Sequence, residues 1–336
     1  MRVLFVCSGN NKKFEIIPFI RDQGRSLEKQ GVSVDYYPVI GKGPLGYLKA
    51  GLALRHILKE NQYDLIHAHY IHSGLAAMLG AGKVPVVLSL MGDDAYGTYI
   101  GVNKVSLLSR VNTLLTFLVQ PFVKAIISKS SNIEKFVYLK KKSYVIPNGI
   151  DVGKFKPYKN RNMRDMPANK KKQVLFLGDK ANVRKNYPLA RDAVDLLCRT
   201  DVELINPYPV SHEAIPQLLN AADVLVVPSL MEGSPNIVKE AMACNCPIVT
   251  TDIGDVRWVL GNTEGCYIAS FEASDFSKKI QSALEFSDTV GRTNGAERIK
   301  ELGLDAETVS KRIINVYTEA LNKMKASKRS RSRMKV

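Results

Sequence analysis

Residues 228–256 read PSLMEGSPNIVKEAMACNCPIVTTDIGDV, and this stretch decides how the chain folds. The apolar run Val224–Pro228 leading into it has the length and composition of a buried strand. Gly233 then breaks the chain, Ser234 is a residue type that caps helix N-termini, and Pro235 suits a first helical position. The spacing predicts a helix from there to about Cys244, and Pro247 opens the next strand, Pro247–Thr251. Strand, tight loop, helix and strand in that order make a βαβ unit, whose two strands must be parallel.

The same alternation extends outward in both directions. Toward the N-terminus, short apolar runs occur at Arg2–Cys7, Val32–Val39, Leu65–His69, Val84–Leu90, Ala125–Ser128 and Ser143–Pro147, with helical spacing between most of them. The first helical pattern covers about Phe14–Gln30. A polar, basic stretch at about 152–172 interrupts the pattern, which restarts at Gln173–Leu177 and Gly178. Further strands follow at Val202–Asn206 and Cys266–Ile268. Continuous apolar strands alternating with helices indicate parallel sheets covered on both faces. The expected fold class is therefore α/β, with two Rossmann-like domains facing across a cleft.

The expected divisions are a domain at 1–151, a linker at 152–172 and a second domain at 173–304. A C-terminal helix at 305–325 and a basic tail at 326–336 follow. The helix has apolar residues at Ala306, Val309, Ile313, Val316, Tyr317, Ala320 and Leu321, spaced to pack on the body of the protein. In such sheets ligands bind beyond the carboxyl ends of the strands, which directs attention to the loops there.

One of those loops is the opening stretch. A helix start at residue 236 would offer the amides of Asn236, Ile237 and Val238, with a positive dipole end, to a phosphate. Glu232 stands before that helix and Glu240 on its second turn, placed to accept hydrogen bonds from sugar hydroxyls on either side of a diphosphate. Glu232-Gly233-Ser234-Pro235, then Glu240-Ala241-Met242-Ala243 after seven intervening residues, resembles the signature of family 4 retaining glycosyltransferases of the GT-B fold. The match extends to Asn220–Asp223 before the strand and Pro247–Asp252 after it. Asp64–His69, Ser89–Asp94, Val145–Asp151 and Phe176–Gly178 with Arg184-Lys185 follow the family's order.

The resemblance implies a donor that is a nucleotide diphosphate sugar, with uracil the family's commonest base, and an acceptor that is a glycan or a lipid-linked glycan of cell-surface polysaccharide synthesis. It implies that Glu240 binds the ribose, Glu232 the donor sugar, and Lys185 with Arg184 the departing diphosphate, whose developing charge fixed cations stabilise. Gly9, in the first strand–helix turn, would admit the phosphates or the acceptor, and it serves equally as a plain turn. The loop Asn206–His212, with Tyr208, would lie near the base. His69, Gly92, Asp93 and Asp94 are candidate cleft residues. Two positions depart from the family. Asp179 stands where Arg commonly follows the glycine, and Met91 stands where His commonly precedes Gly92. No cofactor and no metal is expected: His67 and His69 share a strand face, but no third ligand has a clear spacing.

Composition bounds the alternatives. With 45% apolar and 24% charged residues, the 336-residue chain is neither disordered nor fibrous. Five scattered cysteines fit a reducing compartment. The five apolar residues after Met1-Arg2 are too few for a signal peptide. The expected location is cytoplasmic, at most peripheral on the inner face of a membrane. The net charge of +16 calls for an anionic partner, and seven of its positives lie in the last fourteen residues, KMKASKRSRSRMKV. That tail is either a solvated end or an arm attracted to acidic lipid. No aromatic stacking platform accompanies it, so nucleic acid is not expected as a partner. Val105, Leu107, Leu108, Val111, Leu114, Leu115, Leu118, Val119 and Phe122 have helical spacing, with core packing favoured over a lipid-facing groove. A nucleotide-sugar epimerase of the same architecture is the alternative enzyme.

Overall fold

Seven apolar-rich residues, Arg2–Ser8, form β1, an interior strand of the first sheet, because both faces of that sheet are covered and only apolar side chains fit. The computed structural model describes residues 1–11, 14–41, 43–158 and 171–333. After β1 come α1 (Pro18–Glu28), β2 (Ser33–Val39), α2 (Gly43–Glu60), β3 (Leu65–His69), α3 (Ile71–Gly80) and β4 (Val86–Leu90). Then follow α4 (Asp93–Tyr96), the hairpin of β5 (Tyr99–Gly101) and β6 (Lys104–Val105), and α5 (Arg110–Val119). A 3-10 turn at Gln120–Phe122 leads to β7 (Ala125–Ser128), α6 (Ser131–Glu134) and β8 (Ser143–Val145). The sheet is parallel throughout, in the order β2-β1-β3-β4-β7-β8. All five residues of β3 and of β4 are buried.

The chain divides into two units. Unit 1 is Met1–Thr98, Leu107–Gly149 and Ala306–Val336; unit 2 is Tyr99–Ser106 and Ile150–Asp305. Unit 2 contains β9 (Lys172–Phe176), α7 (Tyr187–Asp195), β10 (Val202–Ile205), α8 (Ile215–Ala221), β11 (Val224–Val227), α9 (Asn236–Ala243) and β12 (Ile248–Thr251). It closes with α10 (Val256–Leu260), β13 (Cys266–Ala269), α11 (Ala273–Thr289) and α12 (Gly295–Glu301). Its sheet is also parallel, in the order β10-β9-β11-β12-β13. Each unit has an apolar cluster on both faces of its sheet.

Several expectations shift. The linker reading of 152–172 is too wide at its start, because Phe155 is buried in the core of unit 2 with Val152 packed against it. The part at 159–170 lies outside the described residues, as do the last three residues of the tail. The C-terminal helix, α13 (Ala306–Arg333), runs through most of the segment read as a tail. It buries Val309, Ile313, Val316, Tyr317 and Ala320 in the core of unit 1. Gly149 is needed where this helix begins: a Cβ there would stand 2.8 Å from Ala306 Cα. The clearest reversal is α5, whose apolar residues were expected in the core. Leu107, Leu108, Val111, Leu114, Leu118 and Phe122 are exposed, and the buried face of the helix is Thr116 and Val119. Among the described residues no helix is long and apolar enough to cross a membrane.

The polar anchor of α13 is inside the core. His67 Nδ1 lies 2.6 Å from the Tyr317 hydroxyl, and Nε2 lies 2.8 Å from Ser89 Oγ. Burial, with His69 and Lys129 nearby, pushes His67 well below the usual imidazole range, so the ring stays neutral. Tyr317→Phe leaves one buried nitrogen without its partner and is expected to cost about 1–3 kcal/mol. Urea unfolding of the two proteins checks this; coincident midpoints would show that the bond contributes nothing.

Candidate functional site

The basic turn is built first. β9 ends at Phe176, and Gly178 lets the chain turn close over it: a Cβ there would press on the Phe176 ring at 3.2 Å. Asn182 caps the following 3-10 turn, Val183–Lys185, by accepting from the Arg184 amide at 3.1 Å. Asn186 takes a left-handed conformation (φ 51°) and donates to Pro228 O at 3.1 Å, while the Leu230 amide donates to Arg184 O at 2.8 Å. These bonds join the turn after β9 to the loop after its neighbour β11.

The joined loops bring three side chains together. Arg184 Nη1 lies 2.7 Å from Glu232 Oε2, and Lys185 Nζ lies 2.6 Å from Glu232 Oε1. Ser229 Oγ donates to the same carboxylate at 3.2 Å. Burial pushes the Glu232 carboxyl up, but the charges of Lys185 and Arg184 outweigh it and hold the group below the usual carboxylate range. Asp179, at the position where the family commonly has Arg, is exposed and accepts from the Ala181 amide at 3.0 Å. Arg184 is the arginine that reaches the carboxylate.

The start of α9 differs from expectation. Its N-cap is Pro235, and Ser234 does not cap it. The Ser234 hydroxyl donates to Asp255 Oδ2 at 2.7 Å and accepts from Lys239 Nζ at 3.0 Å. The buried lysine and the buried carboxylate claim the hydroxyl that would otherwise turn to the helix amides. Burial raises the Asp255 carboxyl, with Lys239 opposing, and lowers the Lys239 ammonium, with Asp255 and Glu240 opposing. Asn236, Ile237 and Val238 form the first turn of α9, whose N–H groups lack intrahelical acceptors. Gly254 closes the arrangement from below. It has φ +56°, and a Cβ there would stand 2.8 Å from both Glu232 O and Gly233 O. Gly233 itself is buried.

On the second turn of α9, Glu240 is buried and its Oε1 lies 3.0 Å from His212 Nε2. Lys154 Nζ lies 3.0 Å from His212 Nδ1. The loop after β10 therefore reaches Glu240 through His212. Tyr208, in that loop, is exposed and its amide donates to Asn206 Oδ1 at 3.0 Å. Asn206 in turn donates to Gly178 O at 3.2 Å, tying this loop to the basic turn. Sequence reasoning missed His212, Ser229, Lys239, Gly254 and Asp255. Ser229, Lys239, Gly254 and Asp255 lay within the quoted stretch and His212 at the end of the loop named beside the base, but a buried Lys-Ser-Asp contact has no spacing that would mark it.

The candidates in unit 1 fare differently. Gly9 is required by the adjacent strand, since a Cβ there would meet Pro38 Cβ at 2.8 Å. His69 is interior to unit 1. It is buried against Phe5 and His67, and among the described residues neither of its ring nitrogens has a hydrogen-bond partner. The cause is position: β3 is covered on both faces to its last residue. Asp94 is also interior, and its Oδ1 accepts from the Met91 and Gly92 amides at 2.9 and 2.8 Å. Gly92 (φ 143°) is the buried N-cap of α4, and Asp93 accepts from Thr98 at 3.3 Å. Burial raises the Asp94 carboxyl to about 7 against those two amide bonds. Among the described residues no three His, Cys, Asp or Glu side chains come together as a metal site.

Residues 2–154 match the family described as Glycosyltransferase Family 4, and residues 163–285 match Glycosyl transferases group 1. The chain is 23% identical to an Escherichia coli UDP-Gal:alpha-D-GlcNAc-diphosphoundecaprenol alpha-1,3-galactosyltransferase, over 72% of this chain and 70% of the relative. It is 25% identical to the GPI3 subunit of a Saccharomyces cerevisiae phosphatidylinositol N-acetylglucosaminyltransferase, over 79% of this chain and 65% of that relative. The chain thus spans about two-thirds of the length of these relatives. Among solved structures, Anabaena HepE in complex with UDP and glucose superposes with a TM-score of 0.69 at 16% identity, covering 95% of this chain and 100% of that one.

Two substitutions test the geometry. Gly254→Ala forces a Cβ into a left-handed position against two carbonyls and is expected to cost at least about 1 kcal/mol, read as a lowered Tm. Asp94 has a folded pKa near 7 against about 3.9 unfolded. Its stabilisation is therefore complete below the unfolded value and is lost as pH rises through 7. Asp94→Asn keeps an acceptor oxygen and removes the proton. Its stability relative to wild type should rise between about pH 5 and about pH 8. A pH-independent difference in urea titrations would contradict the assignment.

Proposed function

We propose, for a chain that belongs to glycosyltransferase family 4 of the GT-B fold, transfer of a sugar from a UDP-sugar to a glycan or lipid-linked acceptor, with retention at the anomeric carbon. The observation that carries this reading is the convergence of Arg184 and Lys185 on Glu232 at the loop leading into α9. The two cations neutralise the carboxylate. A diphosphate arriving at the start of α9 competes for them, and the exchange frees Glu232 to accept hydroxyls of the donor sugar. Breaking the sugar–phosphate bond then loads charge onto a diphosphate already facing two cations and a helix N-terminus. Those groups supply the charge that a metal would otherwise bring, so the reaction is read as metal-independent and without cofactor.

Glu240, oriented by His212, is the ribose-binding acid, with Tyr208 and the rest of its loop beside the base. Two findings support uracil: the E. coli relative is named for a UDP-sugar, and the solved neighbour HepE was crystallised with UDP. Unit 1 is read as the acceptor-binding unit. Both curated relatives described above are named for lipid-linked acceptors, which supports that acceptor class and a peripheral position on the cytoplasmic face of a membrane. The basic C-terminal segment would be drawn to such a surface at about 1 kcal/mol per base. No aromatic platform for nucleic acid stands with it, and nucleic acid is not a partner in this reading.

A screen of nucleotide sugars by thermal shift is expected to raise Tm with UDP-sugars, by mass action on the folded state. Lys185→Ala and Glu232→Ala should each lower transfer by at least about a hundredfold while retaining the wild-type circular dichroism spectrum. Full activity in either folded variant rejects the site. Donor consumed to an epimer without an acceptor identifies an epimerase instead.

A further inference from the structure

The unexpected face of α5 defines a surface that the donor site does not use. β4 ends at Leu90 and its parallel neighbour β7 begins at Ala125, so α5 runs back from the carboxyl edge of the sheet to its amino edge. Along it, Val111, Leu114, Leu118 and Phe122 form one exposed stripe at helical spacing. Leu107 and Leu108 extend the stripe at the carboxyl edge, where Leu108 is 86% exposed. The helix carries a single charge, Arg110. Its other face is fixed, since Thr116 Oγ1 donates to Asp94 O at 2.6 Å and Val119 is in the core.

At the amino edge the stripe runs into a groove of about 670 Å³. Phe122 and Leu79 line it together with Lys83, Lys124 and Lys323, and no acidic residue lines it. All three lysines are exposed. Beyond Leu79 the apolar surface continues onto α2: a Cβ at Gly51 would touch Leu79 at 2.7 Å, and Leu48 and Leu52 beside it are exposed. On the other flank, Phe117 stacks on exposed Tyr138 (6.2 Å between centroids), next to exposed Lys140 and Lys141. Past Lys323, α13 continues to Arg333 through a segment whose sequence has five more bases and no acid.

We propose that this face of unit 1 docks on an anionic bilayer. The α5 stripe and Phe122 enter the acyl region, while Lys83, Lys124 and Lys323 meet the headgroup phosphates. The inference rests on the peripheral-membrane reading above and gives it a surface. An apolar stripe rimmed by lysines, with aromatics between the two zones, matches the layering of a leaflet. A second copy of this chain fits poorly, because it would set one lysine rim against another. One apolar insertion and one basic patch together supply the two weak signals that stable peripheral attachment needs. The orientation also suits a lipid-linked acceptor, because the stripe ends at the carboxyl edge of the sheet.

The test uses the full chain and sucrose-loaded vesicles, without nucleotide sugar. Wild type should sediment with phosphatidylglycerol–phosphatidylethanolamine vesicles, should not sediment with phosphatidylcholine alone, and should keep part of its binding in high salt. Leu108→Ser/Leu114→Ser/Leu118→Ser changes only exposed residues and should bind at least about tenfold more weakly, with the remainder removed by salt. Leu114→Trp in a Trp258→Phe background should be quenched by brominated acyl chains. Wild-type partitioning of the triple variant, or an unquenched indole, overturns the proposal. So does a lipid-free dimer that the triple substitution dissociates while vesicle binding is unchanged. If deleting residues 326–336 abolishes binding and the triple variant binds normally, attachment is by the basic segment alone and this face is not involved. Donor-induced thermal shifts on the same variants separate these outcomes from failure of the transferase reading.

Discussion

The buried carboxylate of Glu232 depends on the two cations that reach it, and the local structure of unit 2 is organised to deliver them. An ionised carboxylate at this depth is tolerated only when paired; losing one partner of a buried pair typically costs about 3–5 kcal/mol. Arg184 and Lys185 come from the turn after β9, and Glu232 from the loop after the adjacent strand β11. Parallel pairing places both turns at the same edge of the sheet. The backbone bond from Leu230 to Arg184 and the side-chain bond from Asn186 to Pro228 then fix the spacing.

A second layer supports the first. Gly254 brings the loop after β12 directly under Glu232 and Gly233, and the next residue, Asp255, takes the Ser234 hydroxyl. Lys239 completes that contact from inside α9. The helix start is thereby held by buried side chains beneath it. The hydroxyl that would have capped α9 serves this buried contact instead.

Much of the fold was legible because the parallel strands are buried on both faces and so appear as uninterrupted apolar runs. β3 and β7 coincide with the runs Leu65–His69 and Ala125–Ser128. The grouping of Glu232 with Arg184 and Lys185 was legible only through the family pattern, since 47 residues separate Lys185 from Glu232. Three features were not legible. Ser234 looks like a cap because its competitor, Asp255, lies 21 residues away. His69 looks like a site residue because a histidine at a strand end is usually solvated, and the burial that makes it interior comes from packing against Phe5 and His67. The α5 stripe looks like core because periodicity reports that one face is apolar and cannot report what covers it.

The two sheets share one construction, yet their carboxyl edges are finished differently. In unit 1 the acid there, Asp94, is bonded to the backbone amides of Met91 and Gly92 and fully enclosed. Backbone amides of such a turn cannot move to another partner, so the bonds to Asp94 fix the shape of the loop. In unit 2 the acid is bonded to the ends of two long side chains, which keep about a quarter of their surface in solvent. Side chains of that length can change partners by rotation alone, with no change in the backbone that carries them. A carboxylate held by enclosed amides is fixed in place, and one held by part-exposed cations can exchange them, which is the property the proposed diphosphate-sugar reading draws on.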